Sequence, residues 1–219
     1  MIGTTYIDHM GSDLSVVNAA RVSFGKKHIR FDTERDTKLI KYLAKHKHIS
    51  PFGHAFASFH VKAPIFVARQ LVKHKFLRWN EISRRYVDDE PEFYMPDQWR
   101  GRSADKKQGS EGVVTTFHPL GEPEDISYHI SRGLNYGVLV LYKNLIEEGV
   151  APEQARMVLP QSTMTEWIWS GSLDAFADMC NLRCKPDTQY ESQLVANQID
   201  DKMMELFPVS WEALRSYED

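Results

Sequence analysis

The chain has 219 residues, a formal net charge of −3, and 42% hydrophobic against 26% charged residues. This is the composition of a globular protein able to build its own core, and no run of 18 apolar residues occurs that would cross a membrane. The negative balance argues against a general nucleic-acid binder, which needs a basic surface.

The opening residues, MIGTTYIDHMGSDLS, lack the basic flank and long apolar block of a secretory leader. Leu39, Ile40, Leu43 and His46 predict a short helix within 36–48. Residues 54–63 carry the aromatic and β-favouring side chains of a strand. Pro64 suits the first position of a helix, with Ile65, Ala68 and Val72 as its buried stripe beside Val67 and Leu71. On the opposite face Arg69, Gln70, Lys73 and His74 fall three or four apart. Residues 101–125, punctuated by Gly and Pro, read as a long surface loop.

Ile130, Leu134, Val138, Leu141 and Leu145 keep the spacing of a long helix that Gly149 closes. A short helical piece runs from Pro152 to near Pro160, and TMTEWIWSG, 163–171, is strand-like. Ser172 is placed to cap a helix with Leu173, Phe176, Ala177 and Cys180 on one side. Thr188 and Glu191 have capping-box spacing for a last helix that ends before Pro208. Helices outnumber strands and do not alternate with them, so the expected class is α+β.

The two cysteines, Cys180 and Cys184, make neither a disulfide framework nor a four-ligand zinc site. A reduced, cytoplasmic protein is expected. Cys180 falls on the apolar side of its helix, where a packed thiol is expected. His46, His48, His54 and His60 are close in sequence, but no Cys or acid completes a zinc motif, and no metal is expected.

KHKFLRWNEISRRY, 73–86, stands apart. From Arg69 to Arg85 six basic residues meet one acid, Glu81, so this stretch is at +5 and the rest of the chain at −8. Arginine forks and short polar side chains suit a phosphate. Glu81 suits either a ligand that also carries sugar hydroxyls, or ion pairing that orients the basic neighbours. A rival reading makes 69–85 a nucleic-acid stripe with Phe76, Trp79 and Tyr86 as stacking residues. The acidic remainder of the chain opposes it.

The same stretch resembles the signature of the flavin-dependent thymidylate synthases, R-H-R, seven residues, then Ser, with N-E-x-S-x-R-Y within and after it. Lys73, His74 and Lys75 stand at R-H-R, and seven residues separate Lys75 from Ser83. HISPFGH (48–54), HVKAPIFVARQ (60–70), ARMVLP (155–160), NLR (181–183) and then Gln189 and Glu191 are similar to further family motifs, in order.

The resemblance implies a single domain over 1–219, with a small, mostly antiparallel sheet, assembled as a homotetramer. It implies an FAD-dependent methyltransferase that converts dUMP to dTMP. Methylenetetrahydrofolate and NADPH are its co-substrates, and it uses no cysteine nucleophile. Small-molecule ligands are implied, not nucleic acid or membrane. The implied dUMP contacts are Gln70, Lys73, Glu81, Ser83, Arg84, Arg85, Arg156 and Arg183. Arg183 is the implied catalytic group that polarises uracil, although by itself it also suits neutralising a helix C-terminus. FAD contacts are implied for Lys73, His74, Lys75, Glu81, Ser172, Asp174 and Asp178, with Ser50 from a neighbouring subunit. Three positions depart from the pattern: K-H-K replaces R-H-R, and Ser172 and Asp178 stand where Asn, or Asn or His, is usual.

Overall fold

The computed structural model describes residues 1–87, 89–104, 109–118 and 124–215. The chain opens with strand β1, Gly3–Met10, and helix α1, Asp13–Arg21, which no pattern announced. Helix α2, Arg35–Lys45, and a 3-10 turn, Ser50–His54, lead into β2, Phe56–Pro64. Then come α3, Ile65–Leu71, and β3, Arg78–Glu81. Two small hairpins follow, β4, Arg100–Arg102, with β5, Ser110–Val113, and β6, Thr116–Phe117, with β7, Glu124–Asp125. A long helical rod comprises α4, Ile126–Gly133, a π segment, Leu134–Val138, and α5, Leu139–Glu147. After α6, Pro152–Ala155, and a 3-10 turn, Arg156–Val158, the chain forms β8, Met164–Ser172. Helices α7, Leu173–Arg183, α8, Tyr190–Leu206, and α9, Pro208–Leu214, complete it.

The expected α+β class is what forms. β1, β2, β8 and β3 lie in that order in one antiparallel sheet. β2 alternates: Ala57, Phe59, Val61 and Ala63 are buried, while Phe56, Ser58, His60 and Lys62 keep contact with solvent. Trp167 and Trp169 of β8 are buried on the inner face, which α7 and α8 cover. Phe176 of α7 packs edge-on against Phe59 and Trp169, with ring centroids at 5.3 and 5.8 Å. Leu173, Phe176, Ala177 and Cys180 are buried, as their spacing predicted. No described helix is long and apolar enough to cross a membrane.

Several expectations are corrected. Pro64 ends β2 and caps α3 rather than starting the helix. α3 stops at Leu71 and buries Val67, Ala68 and Leu71, while Val72 is 43% exposed. Lys73 and His74 therefore lie beyond the helix and do not extend its polar face. The chain leaves the helix to bring β3 alongside β8, and Leu77 fits over Gly171, where any Cβ would collide with it.

The long loop expected at 101–125 is organised by the two hairpins; its residues 105–108 and 119–123 lie outside the described chain. Ser172 holds the N-cap position of α7 without a capping hydrogen bond from its side chain. Gln189, not Thr188, precedes α8. The Thr188 hydroxyl donates instead to the Leu182 carbonyl at 2.9 Å, and Glu191 pairs with Arg100. α8 stops before Pro208 as expected, but α9 follows, anchored where Asp13 accepts from the amides of Val209 and Ser210.

Candidate active site

The short α3 delivers Gln70 and His74 to the C-terminal end of α7. There Arg183 Nε donates to His74 Nε2 at 3.2 Å, and Arg183 Nη2 to the Gln70 backbone carbonyl at 3.5 Å. Gln70 Oε1 accepts from the hydroxyl of Ser192, a fully buried residue in the first turn of α8, at 2.9 Å. Burial, and then the charge of Arg183, hold His74 down at about 4. The ring is thus neutral at pH 7, with its proton on Nδ1 and Nε2 accepting. Burial also lowers Arg183 from its ordinary value, yet a guanidinium keeps its charge. Two of its N–H donors are engaged by these contacts, which leaves the rest of the fork for a ligand.

Glu81 closes β3. Its Oε1 accepts from Thr165 Oγ1 at 2.7 Å and its Oε2 from Trp79 Nε1 at 3.1 Å. The alternative in which Glu81 ion-pairs with its basic neighbours is not what forms. Arg84 pairs with Asp89 at 3.1 Å, and Arg85 Nε donates to Ser83 Oγ at 3.0 Å. Trp79 is stacked on Trp167, centroids 4.2 Å apart and planes 19° apart. It is committed to the protein and is no platform for a nucleic-acid base, while Phe76 and Tyr86 remain exposed. Trp169 lies edge-on to both His74 and Trp79, at 6.4 and 5.7 Å. The Arg183 and Glu81 clusters therefore share one aromatic wall.

Lys73 and Lys75 are exposed and form no ion pair among the described residues. Arg156, in the turn after α6, donates from Nε to the Glu153 carbonyl at 3.2 Å, and no described contact joins it to Arg183. Ser50 lies in the 3-10 turn before β2, tied to the start of α7 where the Leu173 amide donates to the Ala55 carbonyl at 2.9 Å. Asp174 and Asp178, with Ile49, line an open cleft of about 1040 Å³ between α2, α7 and α9, edged by Lys45, Lys47 and Lys185. Asp174 Oδ1 is buried without a hydrogen-bond partner among the described residues, and burial, with Asp174 beside it, pushes the Asp178 carboxyl up. Asp174 and Arg183 are about 13 Å apart along the helix, at its rise per residue. One chain alone thus sets Ser172 and Asp174 more than two turns from Arg183, with Asp178 between them.

Burial drives the Cys180 thiol well above its ordinary value, and its Sγ faces the Ala196 carbonyl at 3.7 Å. It is a packed thiol, unsuited to nucleophilic attack. His60 pairs with Glu166 at 3.0 Å, and the His46 ring lies against Tyr42 at 4.3 Å. Two side chains that hold site residues, Thr165 and Ser192, were missed from sequence. Only the strand register, which sets Glu81 opposite Trp167, and the packing of α8 against α3 bring them there.

Fold and site together describe an α+β protein in which a guanidinium fork, a neutral imidazole and a doubly hydrogen-bonded carboxylate stand along one aromatic wall. The model of the thymidylate synthase complementing protein family matches residues 5–209. The flavin-dependent thymidylate synthase of Thermus thermophilus is 39% identical over 213 residues, 96% of this chain and 74% of that protein. The one from Pseudothermotoga lettingae is 36% identical, covering 96% and 89%. The crystal structure of a UMP/dUMP methylase, PolB from Streptomyces cacaoi, bound with 5-Br dUMP, superposes with a TM-score of 0.81 at 31% identity. The match covers 99% of this chain and 96% of that one. The chain belongs to the thymidylate synthase complementing protein family, the flavin-dependent thymidylate synthases.

Proposed function

We propose that this chain reductively methylates dUMP to dTMP, with methylenetetrahydrofolate as carbon donor and NADPH as reductant, at the end of α7. Bound FAD supplies the hydride. The observation that carries the reading is the Arg183–His74–Gln70 cluster, a permanent cation held by a neutral imidazole and a backbone carbonyl. Aimed at a uracil ring, such a cation stabilises negative charge that develops at N3 and makes C5 nucleophilic without a cysteine.

The remaining dUMP contacts follow from chemistry. Ser83, Arg84 and Arg85 offer a hydroxyl and two guanidinium forks to the phosphate. Lys73 and Arg156 add positive charge, Gln70 an amide, and Glu81 an acceptor. The residues present fit FAD. Lys73 and Lys75, without an ion pair among the described residues, are cations for its pyrophosphate, and Asp174 Oδ1, without a partner among them, is an acceptor for its hydroxyls. His74 and Glu81 lie beside the same wall, Asp174 and Asp178 line the cleft along α7, and Ser50 and Ser172 stand next in sequence to Ile49 of that cleft and to the start of α7. The distance of Ser172 and Asp174 from His74 along α7 supports a site shared between protomers, in the proposed homotetramer, where one protomer's cleft meets another protomer's His74. Closed symmetry then makes the assembly part of the site. Cytoplasmic nucleotide synthesis is the setting this implies.

The test is dTMP formation by the flavin-loaded protein when dUMP, methylenetetrahydrofolate and NADPH are each withheld in turn. Formation that needs all three supports the reading, and no product with all present overturns it. A second reading, that UMP is also methylated, is favoured by the similarity to the UMP/dUMP methylase. The same assay with UMP decides it.

A further inference from the structure

Glu81 is the one acid among six bases between Arg69 and Arg85, yet it neutralises none of them. Each carboxylate oxygen takes a hydrogen bond from a neutral donor instead, Thr165 Oγ1 on Oε1 and Trp79 Nε1 on Oε2. Neither donor is free to turn away. Thr165 is only 5% exposed, and the Trp79 ring is stacked on the fully buried Trp167. The strand register explains the geometry. Glu81 lies opposite Trp167 and Trp79 opposite Trp169, so Trp79, Glu81 and Thr165 stand on one face of the β3–β8 ladder. An ionised carboxylate only accepts, and two donors leave it lone pairs to spare. Glu81 itself is exposed, two residues before Ser83, so those lone pairs are open to a ligand.

We infer that Thr165 and Trp79 are positioning residues that fix Glu81 as the acceptor for the sugar hydroxyl of the nucleotide. The inference rests on the proposed binding of dUMP. In dUMP the only such hydroxyl is at the 3′ carbon, so the clamp reads that group. A salt-bridged glutamate would turn toward its arginine. A carboxylate held by two neutral donors keeps its orientation and its charge for the ligand. Preorganisation of this kind favours binding because less freedom is lost when the ligand arrives.

The test compares the affinity of flavin-loaded protein for dUMP and for 2′,3′-dideoxyuridine 5′-monophosphate, which differ only in that hydroxyl. A hydrogen bond to a charged acceptor is worth roughly tenfold or more in affinity. The wild type should therefore prefer dUMP by about that factor. Thr165→Val, which removes the hydroxyl at nearly constant shape, should reduce the preference to about threefold or less, and Thr165→Ser should restore it. Trp79→Phe, which keeps a ring on Trp167 and removes the N–H, should act like Thr165→Val and carries the test alone if the valine variant does not fold. A purely structural role for Thr165 would weaken both ligands equally and leave their ratio unchanged; that result overturns the inference. A wild type without preference between the two ligands overturns it as well. Failure of the wild type to bind dUMP at all would instead count against the proposed function.

Discussion

Arg183 and His74 are 109 positions apart in sequence and share one hydrogen bond, Arg183 Nε to His74 Nε2 at 3.2 Å. The bond requires a neutral imidazole, because a protonated ring has no lone pair to offer. Burial and the guanidinium enforce that state by lowering His74 from 6.5 to about 4.

A pH dependence follows. The unfolded chain takes up this proton near 6.5 and the folded one only near 4. The contribution of His74 to stability is therefore complete above 6.5 and is lost as pH falls toward 4. After discounting for the partly solvated ring, the loss is on the order of 1–2 kcal/mol. Denaturant unfolding at pH 7.5 and pH 4.5 should show a smaller decline for His74→Gln than for the wild type. An equal decline in the two would remove this assignment.

Lys73 and Lys75 keep the charge of the family's two arginines but not their planar forks. FAD binding should accordingly be weaker and more salt-sensitive than in the Lys73→Arg and Lys75→Arg variants. Titrations of apoprotein with FAD at low and high salt are the check. Identical affinities and identical salt slopes across the three proteins would contradict it.

Neither cysteine serves as a nucleophile in this account. Cys184→Ser should retain turnover within about twofold, and Cys180→Ala should lose about 1–2 kcal/mol of stability from the buried site while still turning over. Rates of dTMP formation alongside thermal melts test both. A collapse of turnover in well-folded Cys184→Ser would point to thiol chemistry.

Of the proposed FAD contacts, Ser172 and Asp174 stand at the start of α7 and His74 meets its far end at Arg183, so a single chain should hold the flavin poorly. Mass measurement of the flavin-loaded protein should give an assembly of four 25.3 kDa chains. Dilution to monomer should release FAD. A monomer that keeps its flavin would contradict the shared site.

Much of this was legible in the chain. The strand expected at 54–63, found at Phe56–Pro64, the buried spacing of Leu173, Phe176, Ala177 and Cys180, and the family motifs were legible, because each is recorded in nearby residues. What escaped was set by distance along the chain. The end of α3 at Leu71 is imposed by the pairing of β3 with β8, and its own apolar residues would have carried the helix further. The hairpins within 100–125 come from strands of two to four residues, too short to show a period. Thr165 and Ser192 look like ordinary polar residues until the fold places them against Glu81 and Gln70.

In the proposed reaction Arg183 activates the pyrimidine of dUMP for flavin-dependent methylation. Release of tritium from 5-tritiated dUMP by the flavin-loaded protein measures it most directly. Release should depend on FAD, methylenetetrahydrofolate and NADPH, and should fall by about 10²-fold or more in a folded Arg183→Gln protein. Release that persists without flavin, or that is unchanged in Arg183→Gln, would contradict it.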